Sequence, residues 1–411
     1  MKNFIEKEIR LSEKERRNLS ILDSIRKGRE ISRADISRVT DLNIVTVSNY
    51  VSKYIKNKIV IETGLDISSG GRRPELLKLN PEYGYSVGID LGACHLTASS
   101  RIVAILMDVT GKVIAEEKIK KEQEPFEKLM EKVLSLTDNL VKKSSVPPSK
   151  IKGIGIGIWG IIDRYRSMTR YPAGDEPGIN YSALLKQLED KLGVSVLIEH
   201  DSALAAFGEK WSGIGTNSDT ENLVFLCSDS SCGMIIRGEL YHGASKNAGE
   251  LNLKAPDSEK KEDFKNCWST YNYGCCLRSR GIDLGVIDRI KARLERQKIE
   301  QWKYGEVSFE NAVNAASEGD SLAKEVIEEA GDYLGAKIAF LVNLFNPEIV
   351  VIGRGIEKGG SIFFSAIRKS VRRWSYDETV KVVKILPTSV GENVVAVGAG
   401  AVVIQNLFAK G

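Results

Sequence analysis

Residues 85–114 read "YSVGIDLGACHLTASSRIVAILMDVTGKVI". Tyr85–Ile89 is a short apolar run that closes on a carboxylate and a glycine, Asp90 and Gly92. From Leu96 the pattern reads as a hairpin that continues through "AEEKI" to Ile119. A helix around Pro125–Lys143 follows, and then the strand "IKGIGIGIWG" at residues 151–160. The second half repeats this style. "ENLVFLCSDSSCGMIIRGELYHG", residues 221–243, reads as strand, turn and strand. A long helix is predicted from about Asp320 to Phe345, and "NPEIVVIGRGI", 346–356, is a buried strand entering a glycine turn. "ENVVAVGAGAVVIQNLF", 392–408, closes the chain with a helix. Two α/β halves, each opened by a hairpin, imply a ligand cleft between them.

Ahead of these halves lies a different pattern. Ser12 and Glu15 have capping-box spacing, and Leu19, Leu22 and Ile25 recur as one helix face requires, up to Gly28. "SRADISRVT", 32–40, is a second short helix with Ser32 as N-cap. A third runs from Asn43, with Val47, Val51 and Ile55 on its buried face. That face leaves Val45, Thr46, Ser48 and Asn49 outward near the helix start, where a recognition helix meets base edges. Ile59–Thr63 and Leu76–Leu79 form a hairpin whose tip, "GGRRP" at 70–74, carries Gly71, Arg72 and Arg73. This is the pattern of a winged helix-turn-helix whose wing reaches phosphates or a narrow minor groove. Three short helices can also make a plain interaction module.

Charge favours the DNA reading. Residues 1–80 carry 17 Lys+Arg against 11 Asp+Glu, a surplus of six where the whole chain of 411 residues has a net charge of only +4. A basic head on a slightly acidic body suits a polyanionic partner, although a solvated helical face gives the same count. No apolar run reaches the length of a membrane span, and the charged N-terminus lacks the apolar core of a signal peptide. Six cysteines in so long a chain do not make a disulfide framework, so a reducing cytoplasm is expected.

The order of these segments resembles the ROK family of repressors and sugar kinases, and its repressor branch in particular. "GIDLGACHLTASSRIVAILMDVTGKVI" resembles the family's first phosphate-loop hairpin, "GIGIGIWGIID" its sugar-cleft strand, and "EHDSALAAFGE" its His-Asp segment. "GELYHGASKNAGELNL" and "NPEIVVIGRGI" resemble its Glu-x-Gly-His run and its adenosine-side turn. The resemblance implies an α/β, two-lobed actin-like ATPase (sugar kinase) fold preceded by a winged helix-turn-helix. The expected domains are 1–80 for the head, 81–200 for the first lobe and 201–411 for the second.

The resemblance also implies which residues meet a ligand. Asp201 falls where ROK kinases keep the base for a sugar hydroxyl, but phosphoryl transfer also needs glycine loops whose amides approach phosphates. The family's Asp-x-Gly-Gly-Thr-Lys reads Asp90-Leu91-Gly92-Ala93-Cys94-His95 here, its Gly-Thr-Gly-x-Gly reads Ser228-Asp229-Ser230-Ser231-Cys232-Gly233, and Arg354 replaces a glycine. No catalytic residue is therefore expected. Asp201 becomes a hydrogen-bond acceptor for an effector, or a cap for its own helix. Trp159, Gly160, His200, Asp201 and Glu250 are the expected effector-binding residues.

The family's zinc-linked His is Leu253 here, and Cys267, Cys275 and Cys276 stand at altered spacing. No cofactor or metal is expected, and those three cysteines are the ligands if zinc is present. Arg278 aligns with a sugar-contacting glutamate, which would admit an anionic group on the ligand. The expected function is a sugar- or polyol-responsive transcriptional regulator, a repressor, with the effector in the interlobe cleft. The expected partners are double-stranded operator DNA, contacted by Val45, Thr46, Ser48, Asn49, Lys53, Gly71, Arg72 and Arg73, and a small carbohydrate or polyol. A homodimer or tetramer is expected, with no membrane. The alternative is an ATP-dependent carbohydrate kinase using Asp201 as general base.

Overall fold

The computed structural model describes residues 11–65, 75–92, 101–122, 124–163, 166–170, 178–216, 220–228, 230–251 and 283–411. Two compact units account for them. The first gathers the described residues up to Arg170, then 178–204 and 395–411, and the second holds 205–394.

The head begins with α1 (Glu13–Gly28). Its capping box is complete: Glu15 N donates to Ser12 Oγ at 3.3 Å, and Ser12 N donates to Glu15 Oε2 at 2.8 Å. Strand β1 (Ile31–Ser32) leads into α2 (Arg33–Thr40), capped by Ser32, and α3 (Ile44–Lys56) is capped by Asn43. Strands β2 (Val60–Leu65) and β3 (Glu75–Leu79) pair antiparallel as the wing, with β1 on the far side of β3. Two faces are rotated from the sequence expectation. α1 buries Asn18 rather than Leu19, and α3 buries Tyr54 rather than Ile55. The reason is a polar contact inside the head: Tyr54 Oη donates to Asn18 Oδ1 at 2.7 Å.

The body of the first unit is a five-stranded sheet of β4 (Tyr85–Asp90), β5 (Arg101–Asp108), β6 (Val113–Lys120), β7 (Ile151–Ile158) and β11 (Val196–His200), in the order β11-β7-β4-β5-β6. β4, β7 and β11 are parallel, while β5 and β6 form the antiparallel hairpin. A small sheet of β8 (Ile161–Asp163), β9 (Met168–Arg170) and β10 (Ile179–Asn180) hangs from the end of β7. The isoleucines of β7 pack with helices α4 (Phe126–Ser144) and α5 (Ser182–Leu192) in one core.

The intervening glycines of β7 face the C-terminal helix. A Cβ at Gly155 would lie 2.2 Å from Ala399 O, and one at Gly88 of β4 would lie 1.9 Å from Ala396 O. The strict Ile-Gly alternation is thus a two-sided code, bulk toward one helix layer and none toward the other.

The second unit repeats the plan. α6 (Asp201–Ser212) is followed by β12 (Leu223–Leu226), β13 (Cys232–Ile236) and β14 (Glu239–Leu240). Helices α7 (Val286–Arg296), α8 (Phe309–Ser317) and α9 (Ser321–Phe345) precede β15 (Ile349–Ile352), α10 (Gly360–Trp374), α11 (Asp377–Val382) and β16 (Lys384–Pro387). The sheet order is β14-β13-β12-β15-β16, with β12, β15 and β16 parallel. Three parallel strands and an antiparallel pair on one side therefore occur in both units. α9 crosses α10 closely because Gly331 and Gly335 carry no Cβ against Phe363 O and Ser370 Cβ.

The last helix, α12 (Val394–Lys410), corrects two expectations. The expected second lobe, 201–411, includes it, but residues 395–411 group with the first unit, where the glycine face of the sheet receives them. It is also long and apolar enough by composition to cross a membrane, where no such run was expected, but 67% of that stretch is buried inside the protein.

Candidate effector and DNA sites

In parallel α/β sheets, ligands meet the carboxyl ends of the strands. Register brings three such ends together in the first unit. Asp90 of β4 pairs with Gly157 of β7, and His200 of β11 pairs with Ile158. Asp90, Trp159, Gly160, His200 and Asp201 thus share one sheet edge.

Asp90 is 3% exposed and accepts from Gly92 N at 2.8 Å. Gly92 has φ +74, and a Cβ there would meet Arg101 O at 2.5 Å, so this tight turn requires glycine. Lys121 Nζ donates to Gly92 O at 3.1 Å, a contact that sequence reading did not anticipate because Lys121 lies beyond the hairpin. Trp159 is half-buried and Gly160 is buried with φ +98.

His200 and Asp201 are 5% and 3% exposed. Ser202 N donates to His200 Nδ1 at 3.2 Å, and Ser202 Oγ lies 2.7 Å from the same nitrogen. The Ser202 N–H aimed at Nδ1 suits the tautomer with its proton on Nε2. His200 Nδ1 lies 3.3 Å from Asp201 Oδ1. Asp201 occupies the first turn of α6, where the helix dipole favours a negative charge. Ser202, absent from the sequence expectation, contacts the imidazole through both its N–H and its hydroxyl, and its adjacency to His200 was the available signal.

Glu250 belongs to the second unit. It bridges antiparallel to Ser231, and Cys232 N donates to Gly249 O at 2.8 Å. Burial, aided by the Glu250 carboxylate, pushes the Cys232 thiol up to about 12.

The turns at Ser228–Ser230 and at Arg354–Glu357 each hold a backbone amide on one of their own side chains. Ser230 N donates to Ser228 Oγ at 3.1 Å, and the two hydroxyls are 2.6 Å apart. Arg354 is left-handed at φ +63, and Gly355 N donates to Glu357 Oε2 at 2.6 Å. Burial raises the Glu357 carboxyl above its ordinary range. Among the described residues no group of three or more His, Cys, Asp or Glu side chains is placed to hold a metal. Cys267, Cys275, Cys276, Leu253, Arg278 and Asp229 lie outside the described residues, as do Ala93, Cys94 and His95.

On α3 the exposed face runs Val45, Asn49, Ser52, Lys53 and Lys56, while Thr46 and Ser48 are half-buried. The helix contains no acidic residue. Lys53 Nζ reaches Gly411 O at 3.5 Å. Gly71, Arg72 and Arg73 lie outside the described residues. Behind this face, Asn18 is fully buried, and its Nδ2 donates to Ala409 O of α12 at 2.9 Å.

A winged helix-turn-helix head ahead of an α/β body of two similar units defines a class of protein, and the comparisons specify it. The ROK family pattern matches residues 86–406, and the chain belongs to that family. It is 32% identical over 398 residues to the xylose repressor of Caldicellulosiruptor bescii, covering 95% of this chain and 96% of that one. Among solved structures, a ROK family transcriptional regulator, a homologue of the E. coli MLC protein, superposes with a TM-score of 0.72 at 21% identity, covering 96% of each chain. A ROK glucokinase from Streptomyces griseus, solved with glucose and AMPPNP, gives 0.60 at 21% identity, over 78% of this chain and 99% of that one. The actin-like α/β fold of the body is shared with both neighbours, and the match to the regulator extends over 96% of this chain.

Proposed function

We infer that this chain is a sugar-responsive transcriptional repressor. The observation that carries the reading is the combination of a winged head with a ROK body along nearly the whole length of a named repressor. The first 80 residues are the proposed DNA-binding module, with the wing arginines Arg72 and Arg73 on phosphates. The cytoplasm is its proposed location.

The proposed effector is a small carbohydrate or polyol at the strand ends of the first unit. Asp201 accepts from a hydroxyl, His200 Nε2 donates to one, and the flat face of half-buried Trp159 takes the ring. Glu250 stays a proposed contact through its position in the sequence alone. No phosphoryl transfer is proposed. The amides of Ser230 and Gly355 already serve Ser228 and Glu357, so neither loop offers those donors to a nucleotide. Retention of both Asp90 and Asp201 at one sheet edge is the observation that favours the kinase alternative.

Two half-sites require two heads, so the repressor acts as a dimer or tetramer. The proposed contact is an exposed apolar surface on the second unit, where Phe340, Leu344, Trp374 and Tyr376 are 51%, 58%, 47% and 72% exposed. Asn343 ties it together, donating to Trp374 O at 3.0 Å and accepting from Tyr376 N at 3.2 Å. Phe340→Glu should shift sedimentation toward monomer.

The test of function is fluorescence anisotropy on DNA from upstream of the gene and its neighbours, across a panel of sugars, sugar phosphates and cyclitols without ATP. Salt-sensitive binding that one compound changes is the expected result. Absence of DNA binding together with ATP turnover on the panel would overturn the reading.

A further inference from the structure

The fold leaves two apolar side chains at the start of α3 without a structural task. Ile44 and Val45 are 46% and 67% exposed, against fully buried Val47 and Val51 one turn along. Both are β-branched, a choice that lowers helix propensity when packing does not reward it. The N-terminal turn is already capped by Asn43, whose Oδ1 accepts from Thr46 N at 2.8 Å. Neither the helix nor the core explains these residues.

Their surroundings indicate what covers them. Asn49 lies one turn beyond Val45 on the same exposed face, and exposed Lys53 and Lys56 follow, with no carboxylate anywhere on the helix. An apolar tip, an amide and then cations is a gradient that complements duplex DNA entered end-on. The N-terminal residues of a recognition helix reach base edges, while later residues meet phosphates. In the major groove the apolar feature of the base edges is the thymine C5-methyl, and the partner suited to an asparagine is the N6/N7 edge of adenine.

We propose that Ile44 and Val45 read thymine methyl groups, and that Asn49 reads an adenine at a neighbouring step, so that the core of each operator half-site is A·T. This rests on the DNA-binding reading above and adds its sequence specificity. It assigns discrimination to contact with methyl groups, leaving Lys53 and Lys56 to position the helix without reading sequence.

The test uses the full chain. Sites are selected from a random double-stranded DNA library, and every thymine of the selected half-site is replaced singly by deoxyuridine, which removes only the methyl. Affinities are measured for the unaltered chain, Val45→Ala and Lys56→Ala. At one or two positions deoxyuridine should weaken the unaltered chain about fourfold, the factor for one buried methyl-sized group. Val45→Ala, at an exposed position that favours alanine, should show the same loss on thymine DNA and no further loss on deoxyuridine DNA. Lys56→Ala should weaken both DNAs alike. Insensitivity to deoxyuridine at every position, a selected core of G·C pairs, or a deoxyuridine loss unchanged in Val45→Ala would each overturn the proposal while leaving DNA binding intact. Selection of no preferred sequence despite salt-sensitive binding would overturn it as well. Failure to bind any DNA would instead remove the function reading on which it stands.

Discussion

Asn18 Oδ1 accepts from Tyr54 Oη at 2.7 Å, while its Nδ2 donates to Ala409 O at 2.9 Å. One buried amide thus joins α3 to α12, the last helix of the chain. That last helix lies on the glycine face of the sheet whose strand ends carry Asp90, His200 and Asp201. A ligand can shift an equilibrium only through elements with differential contacts in the two states, and the expectation is that this chain of contacts, which lies within one unit, is such an element. Asn18→Ala leaves the Tyr54 hydroxyl and the Ala409 carbonyl buried without their partner, at a cost of about 1–3 kcal/mol. It should keep effector affinity and bring the effect of ligand on DNA affinity toward none. Anisotropy with and without effector checks both halves.

Tyr54 also predicts an alkaline limit. Burial, aided by the neighbouring Tyr50, raises its phenol well above the ordinary value of 10. The folded head therefore holds its proton where the unfolded chain releases it. The stability tied to this group is fully present below about pH 10 and falls as pH rises beyond it. Urea midpoints between about pH 9 and 11 should drop for the unaltered chain, and less steeply for Tyr54→Phe.

Gly155→Ala places a methyl 2.2 Å from Ala399 O, and a backbone atom cannot rotate away. Overpacking of this kind costs roughly 1–3 kcal/mol or more. The melting temperature should fall, whereas Gly193→Ala, with nothing within 4 Å but φ +65, should cost less and only through backbone strain.

Asp201→Asn tests the effector site. Loss of a charged acceptor should weaken binding of the effector identified in the sugar panel roughly 10- to 100-fold, the equivalent of about 1.5–3 kcal/mol. DNA affinity without effector should not change. Unaltered effector affinity would reduce Asp201 to a residue that only favours its own helix.

Much of this was legible because it is local. Ser12 with Glu15 and the cap Ser32 mark helix starts through bonds spanning three residues, and these are made as read. The order of the motifs was enough to reveal the family, because it depends on chain sequence alone. The apolar runs ahead of Asp90 and Trp159 announce strands, but the register that sets those ends side by side is not in them.

What only the tertiary structure decided involves groups far apart in sequence. The Ile-Gly alternation of 153–158 announces a strand but not why half its side chains are missing, and the reason is a helix some 240 residues later that packs against it. Leu19 fits the expected apolar face of α1 better than Asn18 does, yet Asn18 is inside, because its amide finds a hydroxyl 36 residues away and a carbonyl 391 residues away. Periodicity reports how much surface a residue would bury. It cannot report which buried polar group another element will satisfy, and that long-range pairing placed Asn18 and Tyr54 inside the head.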